Sequence, residues 1–204
     1  MDRLDADITG VILAGGLSKR MGFNKASADF IGTSMLTLMI EKLQEVTPAV
    51  VVSSGSITYP GISYPQIPDE YSHCGPLGGI FSALNASPSI LNLILSCDIP
   101  LVSVSLLKYI VSMARESGAL LTVPIDCDGQ EQMLCAVYHR DILPILKRQI
   151  DNSQLRMKTL LELVRVKYVH ISKEHPLYHE HAFMNVNSKD VLQQALTLWS
   201  KKGQ

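Results

Sequence analysis

Residues 8–14, ITGVILA, form a short apolar run with β-branched members, and residues 50–52 and 91–96 repeat it. Runs that are apolar at successive positions, and not only at alternate ones, suit strands buried on both faces of a parallel sheet. Between them the period changes. Met35, Leu38, Met39, Leu43 and Val46 share one helical face, as do Leu106, Leu107, Ile110, Val111 and Ala114. A third helix is predicted over residues 79–86, leaving directly from the glycine loop GPLGG. Further strands are predicted over residues 119–123, 133–138 and 166–171, and a closing helix over residues 189–199. Strand and helix alternate, which predicts an α/β fold whose ligands sit beyond the carboxyl ends of the strands.

Composition narrows the function classes. The 204 residues suit one compact domain, residues 1–204, with no repeat or linker. A hydrophobic share of 47% with 18% charged residues is globular, and a net charge of -1 leaves no polycationic footprint for nucleic acid. The apolar runs are too short to span a bilayer and the first residues lack the pattern of a signal peptide, so no membrane is expected and the cytoplasm is. Cys74, Cys97, Cys127 and Cys135 show no C-x-x-C spacing and sit in or beside apolar segments, as reduced, packed thiols do. His170, His175, His179 and His181 fit no compact metal-ligand set and read as a surface segment.

The chemistry concentrates after the first strand. Gly15 and Gly16 are followed by Lys19, Arg20 and Lys25. This is neither the G-x-x-x-x-G-K-[ST] loop nor a G-x-G-x-x-G fingerprint. The physics is nonetheless that of an anion site: glycines admit backbone N–H groups close to an anion, and three cations stand where a strand delivers a ligand. A polyphosphate is the natural occupant, the plain alternative being a Gly-Gly turn and a solvated basic loop. The strand over residues 91–96 runs into Asp98, a carboxylate at the carboxyl edge that suits Mg²⁺ beside phosphate oxygens. Ser103 and Ser105 are available to cap the next helix, which relieves Asp98 of that task.

Four segments in order carry a resemblance. L-A-G-G-x-S-x-R-M-G-x-N-K (residues 13–25), D-x-x-x-x-x-G-P-L-G-G (residues 69–79), C-D-x-P (residues 97–100) and F-M-N-V-N-S (residues 183–188) resemble the nucleotidyltransferase superfamily that includes the molybdenum cofactor guanylyltransferases. The resemblance implies a single three-layer α/β/α domain with a Rossmann-like, mostly parallel sheet, as in nucleotide-diphospho-sugar transferases. It implies transfer of GMP from GTP to the phosphate of molybdopterin or its molybdenum form, with Mg²⁺ as cofactor and release of pyrophosphate. Transient contact with other cofactor-biosynthesis proteins or molybdoenzymes would follow.

Carried across, Leu13, Ala14 and Gly15 would meet guanine and ribose, and Gly16 would bring backbone to phosphate. Arg20 and Lys25 would clamp phosphate oxygens, Asp69 would contact the guanosine part and Asp98 would bind Mg²⁺. Asn185 and Asn187 would border the metal and the acceptor phosphate, unless they only bridge backbone before the last helix. Three positions depart from the pattern: Asn24 where relatives often have Asp, Ser188-Lys189 for Thr-Pro, and Met133-Leu134 for Pro-Leu. Arg156 and Lys158 either reach the acceptor phosphate or lie on a solvated face. A cytidylyltransferase or other nucleotidyltransferase of similar fold acting on a different phosphorylated acceptor, and a nucleotide-binding adaptor without turnover that delivers cofactor, are the rival readings.

Overall fold

A computed structural model describes residues 8–15 and 24–202. The main sheet has seven strands. The first, β1 (Ile8–Leu13), pairs in parallel with β4 (Val50–Gly55) on one side and β6 (Leu91–Ser96) on the other. β5 (Gln66–Pro68) extends the sheet beyond β4. On the far side come β8 (Cys135–His139), β7 (Leu121–Ile125) and β9 (Val166–His170), in that spatial order. β8 is antiparallel to both its neighbours, because a short connection returns the chain beside β7 without a crossover helix. Two residues each form β2 (Asp29–Phe30) and β3 (Thr33–Ser34), a separate hairpin.

Helices cover both faces. α1 (Met35–Gln44) and α3 (Val104–Ser117) bury Leu36, Met39, Leu43, Leu107 and Ile110 against Ile8, Ile12 and Leu93. α2 (Pro76–Ala86), α4 (Leu143–Asp151) and α5 (Thr159–Leu163) bury Leu77, Ile80, Leu84, Leu146 and Leu160 against Val11, Ile94 and Tyr138. Ile8 and Ile12 thus face one layer while Val11 and Leu13 face the other, as a two-residue period requires. This is the α/β fold that the alternating runs predict, in the three-layer α/β/α arrangement that the resemblance implied. α6 (Lys189–Lys202) stands apart on a third cluster, where Ala195 and Val186 pack with Phe30, Met35 and Leu101, and Trp199 meets Phe30 edge to face.

Several boundaries differ from expectation. α2 starts at Pro76 and not at residue 79, because proline is well placed in a first turn that needs no N–H donor from it. β7 begins at Leu121, after Gly118 ends α3 in the left-handed region. β5, the hairpin, α4 and α5 had no prediction. Cys97 and Cys135 are buried and free, and burial pushes both thiols up to about 12. Cys74 is half-buried, whereas Cys127 is exposed, against the expectation of packing, because it sits on the turn after β7.

Of the two candidate caps, Ser103 takes the place: its Oγ accepts from Leu106 N at 3.2 Å. Ser105 is exposed inside the first turn. Ser103→Ala should therefore lower stability by about 1 kcal/mol and Ser105→Ala by less than about 0.5 kcal/mol, as read from urea unfolding midpoints.

Candidate active site at the carboxyl edge

β1 stops between two neighbours that hold its end. Ala14 N and Gly15 N both donate to Ser53 O, at 2.9 and 3.0 Å, and Cys97 N donates to Leu13 O at 3.3 Å. Gly15 passes so close to β4 that a Cβ there would lie 2.9 Å from Gly55 N. Only glycine permits that approach. Leu13, Ala14 and Gly15 therefore present backbone at the carboxyl edge, with Leu13 and Ala14 buried and Gly15 exposed. Gly16 and Arg20 lie outside the described residues.

The chain is described again from Asn24, whose Oδ1 accepts from Ala26 N at 3.0 Å and starts a 3₁₀ turn over Lys25–Ser27. That turn aims Lys25 inward. Its Nζ donates to Asp98 Oδ2 at 2.6 Å and to Asn187 Oδ1 at 2.8 Å. Asp98 is buried, and its other oxygen accepts from Ser96 Oγ at 2.5 Å. Relief from capping does not leave Asp98 unpaired: a buried carboxylate is stable only with charge or donors around it, and Lys25 and Ser96 supply both. Asp98 O also accepts from Val186 N at 2.7 Å, which anchors the segment before α6.

Asn185 and Asn187 part company. Val186 between them is fully buried, Asn187 reaches Lys25, and Asn185 Nδ2 donates only locally, to Phe183 O at 3.4 Å. Asp69 follows β5 and faces the start of α2, where Cβ atoms built at Gly78 and Gly79 would lie 3.9 and 3.5 Å from its carboxylate oxygens. Among the described residues its Oδ1 is buried with no hydrogen-bond partner, and burial raises its carboxyl above the ordinary 3.8. An acceptor so placed is ready for a donor from outside the protein. Lys158 instead pairs with Glu131 at 2.7 Å on the surface, and Arg156 is exposed in the turn before α5.

A cleft of about 180 Å³ opens where the turn after β7 meets the segment after β9, lined by Cys127, Asp128, Tyr178, His179, His181 and Met184 among others. Tyr178 OH and Cys127 Sγ lie 3.8 Å apart across it. Met184 joins this wall to Asn187 within three residues. No group of three or more His, Cys, Asp or Glu that could hold a metal occurs among the described residues.

Two participants escaped the sequence. Ser96 sits inside an apolar strand, and Tyr59 sits in a loop with no motif around it. Tyr59 OH donates to Ala14 O at 2.7 Å and accepts from Asn24 Nδ2 at 3.1 Å. Burial pushes its phenol up, so it keeps its proton. Only the pairing of β4 with β5 brings it under the site.

Comparison with known proteins shows the family and the fold. A family model described as the MobA-like NTP transferase domain matches residues 10–170. A protein of Flavobacterium johnsoniae named "Probable molybdenum cofactor guanylyltransferase" is 34% identical over 185 residues, 91% of this chain and 94% of the relative. One of the same name from Bacillus subtilis (strain 168) is 33% identical over 186 residues, 88% of this chain and 90% of the relative. The crystal structure of molybdopterin-guanine dinucleotide biosynthesis protein A from Archaeoglobus fulgidus superposes with a TM-score of 0.83 at 22% identity, over 95% of this chain and 99% of that one. That last likeness speaks for the fold.

Asp69 supplies a test that needs no substrate. Below pH 3.8 its carboxyl is neutral folded and unfolded alike; as pH rises through the raised folded value, the unfolded chain ionises more readily and stability falls. Asp69→Asn escapes that loss. Thermal scans at pH 7 should place the variant's midpoint above the parent's, with the difference shrinking as pH falls toward 3.8.

Proposed function

Because the chain belongs to the MobA-like NTP transferase family, we propose that it transfers GMP from GTP to the terminal phosphate of molybdopterin or its molybdenum form. We take residues 1–204 as one nucleotidyltransferase domain and the cytoplasm, where GTP is available, as its place of action. No described helix is long and apolar enough to cross a membrane. The observation that carries the reading is the meeting of Lys25, Asp98 and Asn187 beside the backbone end of β1, at the edge where α/β sheets receive ligands.

The reaction forms a bond between an acceptor phosphate oxygen and the α-phosphorus of GTP, breaks the bond from that phosphorus to the bridging oxygen, and releases pyrophosphate. The attacking oxygen is already an anion, so the enzyme needs no covalent intermediate. Its task is to gather two polyanions in line and to balance the charge that grows on the leaving group. Lys25, with Arg20, would hold phosphate oxygens. Leu13, Ala14, Gly15 and Gly16 would offer backbone to base, ribose and phosphate, and the unpartnered Asp69 oxygen would accept from guanosine.

The donors near Asp98 fit Mg²⁺: one carboxylate, the Asn187 amide oxygen and the Ser96 hydroxyl are hard oxygen ligands, and Mg²⁺ takes few protein ligands and fills its shell with phosphate and water. When bound, the ion supplies positive charge to the α-phosphate oxygens and fixes their orientation. Asp98 would hold it in the place of the Lys25 ammonium, releasing Lys25 to phosphate. The cleft beside Tyr178 is smaller than the roughly 300–1,000 Å³ typical of a drug-sized ligand, which suits one ring system of the acceptor. Its aromatic lining suits stacking, and its carboxylates suit amino donors on such a ring.

Incubation with GTP, molybdopterin and Mg²⁺ should release pyrophosphate, and CTP should not replace GTP; equal turnover with CTP would defeat the guanylyl assignment. Asp98→Asn should lower kcat by about 10²–10⁴ while circular dichroism stays native. Tyr178→Ala should raise KM for molybdopterin about tenfold and leave KM for GTP near the parent value, in steady-state assays that vary each substrate.

A further inference from the structure

The two described ends that flank residues 16–23 share one buried side chain. Ala14 closes β1 and Asn24 opens the 3₁₀ turn that carries Lys25; both bond to the hydroxyl of Tyr59, which is 5% exposed. Gln66 on β5 clasps the same residue from behind: its Oε1 accepts from Tyr59 N at 2.8 Å, and its Nε2 donates to Tyr59 O at 3.0 Å. The phenol therefore has a fixed backbone, a fixed ring and both hydrogen-bonding roles in use.

The direction of these bonds follows from the atoms. Ala14 O is an acceptor only, so the phenol must donate to it. Having spent its one proton there, Tyr59 Oη can only accept from the second partner, and Asn24 Nδ2 supplies that donor. A carboxylate at position 24 would have no proton to offer. It would compete with Ala14 O for the phenol proton, and an ionised acceptor wins such a contest over a neutral carbonyl.

We infer that Tyr59 is a positioning residue for nucleotide binding, setting the separation between the backbone at Ala14-Gly15 and the cation of Lys25, and that it requires Asn24 as a donor. The inference rests on the reading of this edge as the GTP site. The spacing matters there because base and phosphate are joined in one molecule. A shift of one contact region relative to the other weakens the two together, and the loss is expressed in binding before chemistry.

The test is a double-mutant cycle on the full chain with Tyr59→Phe, Asn24→Asp and both changes together, reading GTP affinity by calorimetry with Mg²⁺ and KM against kcat by pyrophosphate release. Tyr59→Phe keeps the ring in its packed place, and Asn24 is only half-buried, so each should fold. Each single change should raise Kd and KM for GTP about tenfold with kcat within about threefold of the parent. The double variant should be no worse than the weaker single, because both singles break the same link. Singles that multiply in the double variant, or a fall in melting temperature with KM unchanged, would overturn the inference. A parent that binds GTP with this coupling yet releases no pyrophosphate sinks the transferase reading alone. Turnover without the coupling sinks this one alone, and a parent that binds no GTP overturns both.

Discussion

Lys25 Nζ and Asp98 Oδ2 meet at 2.6 Å across a sequence separation of 73 residues, and much of the edge is built so that they can. The carboxylate is buried, the ammonium is a quarter exposed, and removing either partner would leave a desolvated charge. Ser96 takes the remaining carboxylate oxygen, while Asn187 takes a second proton of the ammonium from a third direction. A pair held this way is neutral as a unit. On the proposed reading it is also divisible, since a cation can replace the ammonium on Asp98 while the ammonium follows a phosphate.

The pair depends on the sheet for its position. Asp98 follows β6 directly, and β6 is the immediate parallel neighbour of β1, so carboxylate and exposed Gly15 backbone arrive at the same edge. β4 on the other side brings Ser53 and Gly55 against Ala14 and Gly15. Small residues there let backbone approach backbone. At the start of α2, Asp69 keeps one buried carboxylate oxygen without a donor among the described residues.

α6 contributes through what precedes it. Val186 is fully buried in the cluster of Phe30, Met35, Leu101 and Ala195, and its N–H binds Asp98 O. Both flanking asparagines are exposed beside this anchor. Asn187 reaches Lys25, while Asn185 is left with a local bond. The hairpin of β2 and β3 serves the same cluster through Phe30, so the chain after Lys25 and the chain before α6 are fastened to one apolar patch.

Sequence alone determined the alternation of strand and helix over much of the chain, though not α4 and α5, because a strand or helix declares itself through neighbours one to four residues away. The apolar runs at β1, β4 and β6, the helical faces of α1 and α3, and a serine cap before α3, at Ser103 or Ser105, were legible within such windows. So were residues of the candidate site: Gly15 after β1, Lys25 beyond it, and Asp98 beyond the end of β6. Elements of two or three residues, such as the hairpin and β5, are shorter than any period and gave no signal. The tertiary structure alone decided the meetings: Lys25 with Asn187 across 162 residues, Tyr59 with Ala14 across 45, and β8 reversed between β6 and β7. Pattern constrains what each segment buries, but which side chains share an edge follows from packing all the buried faces at once, and no local window contains that.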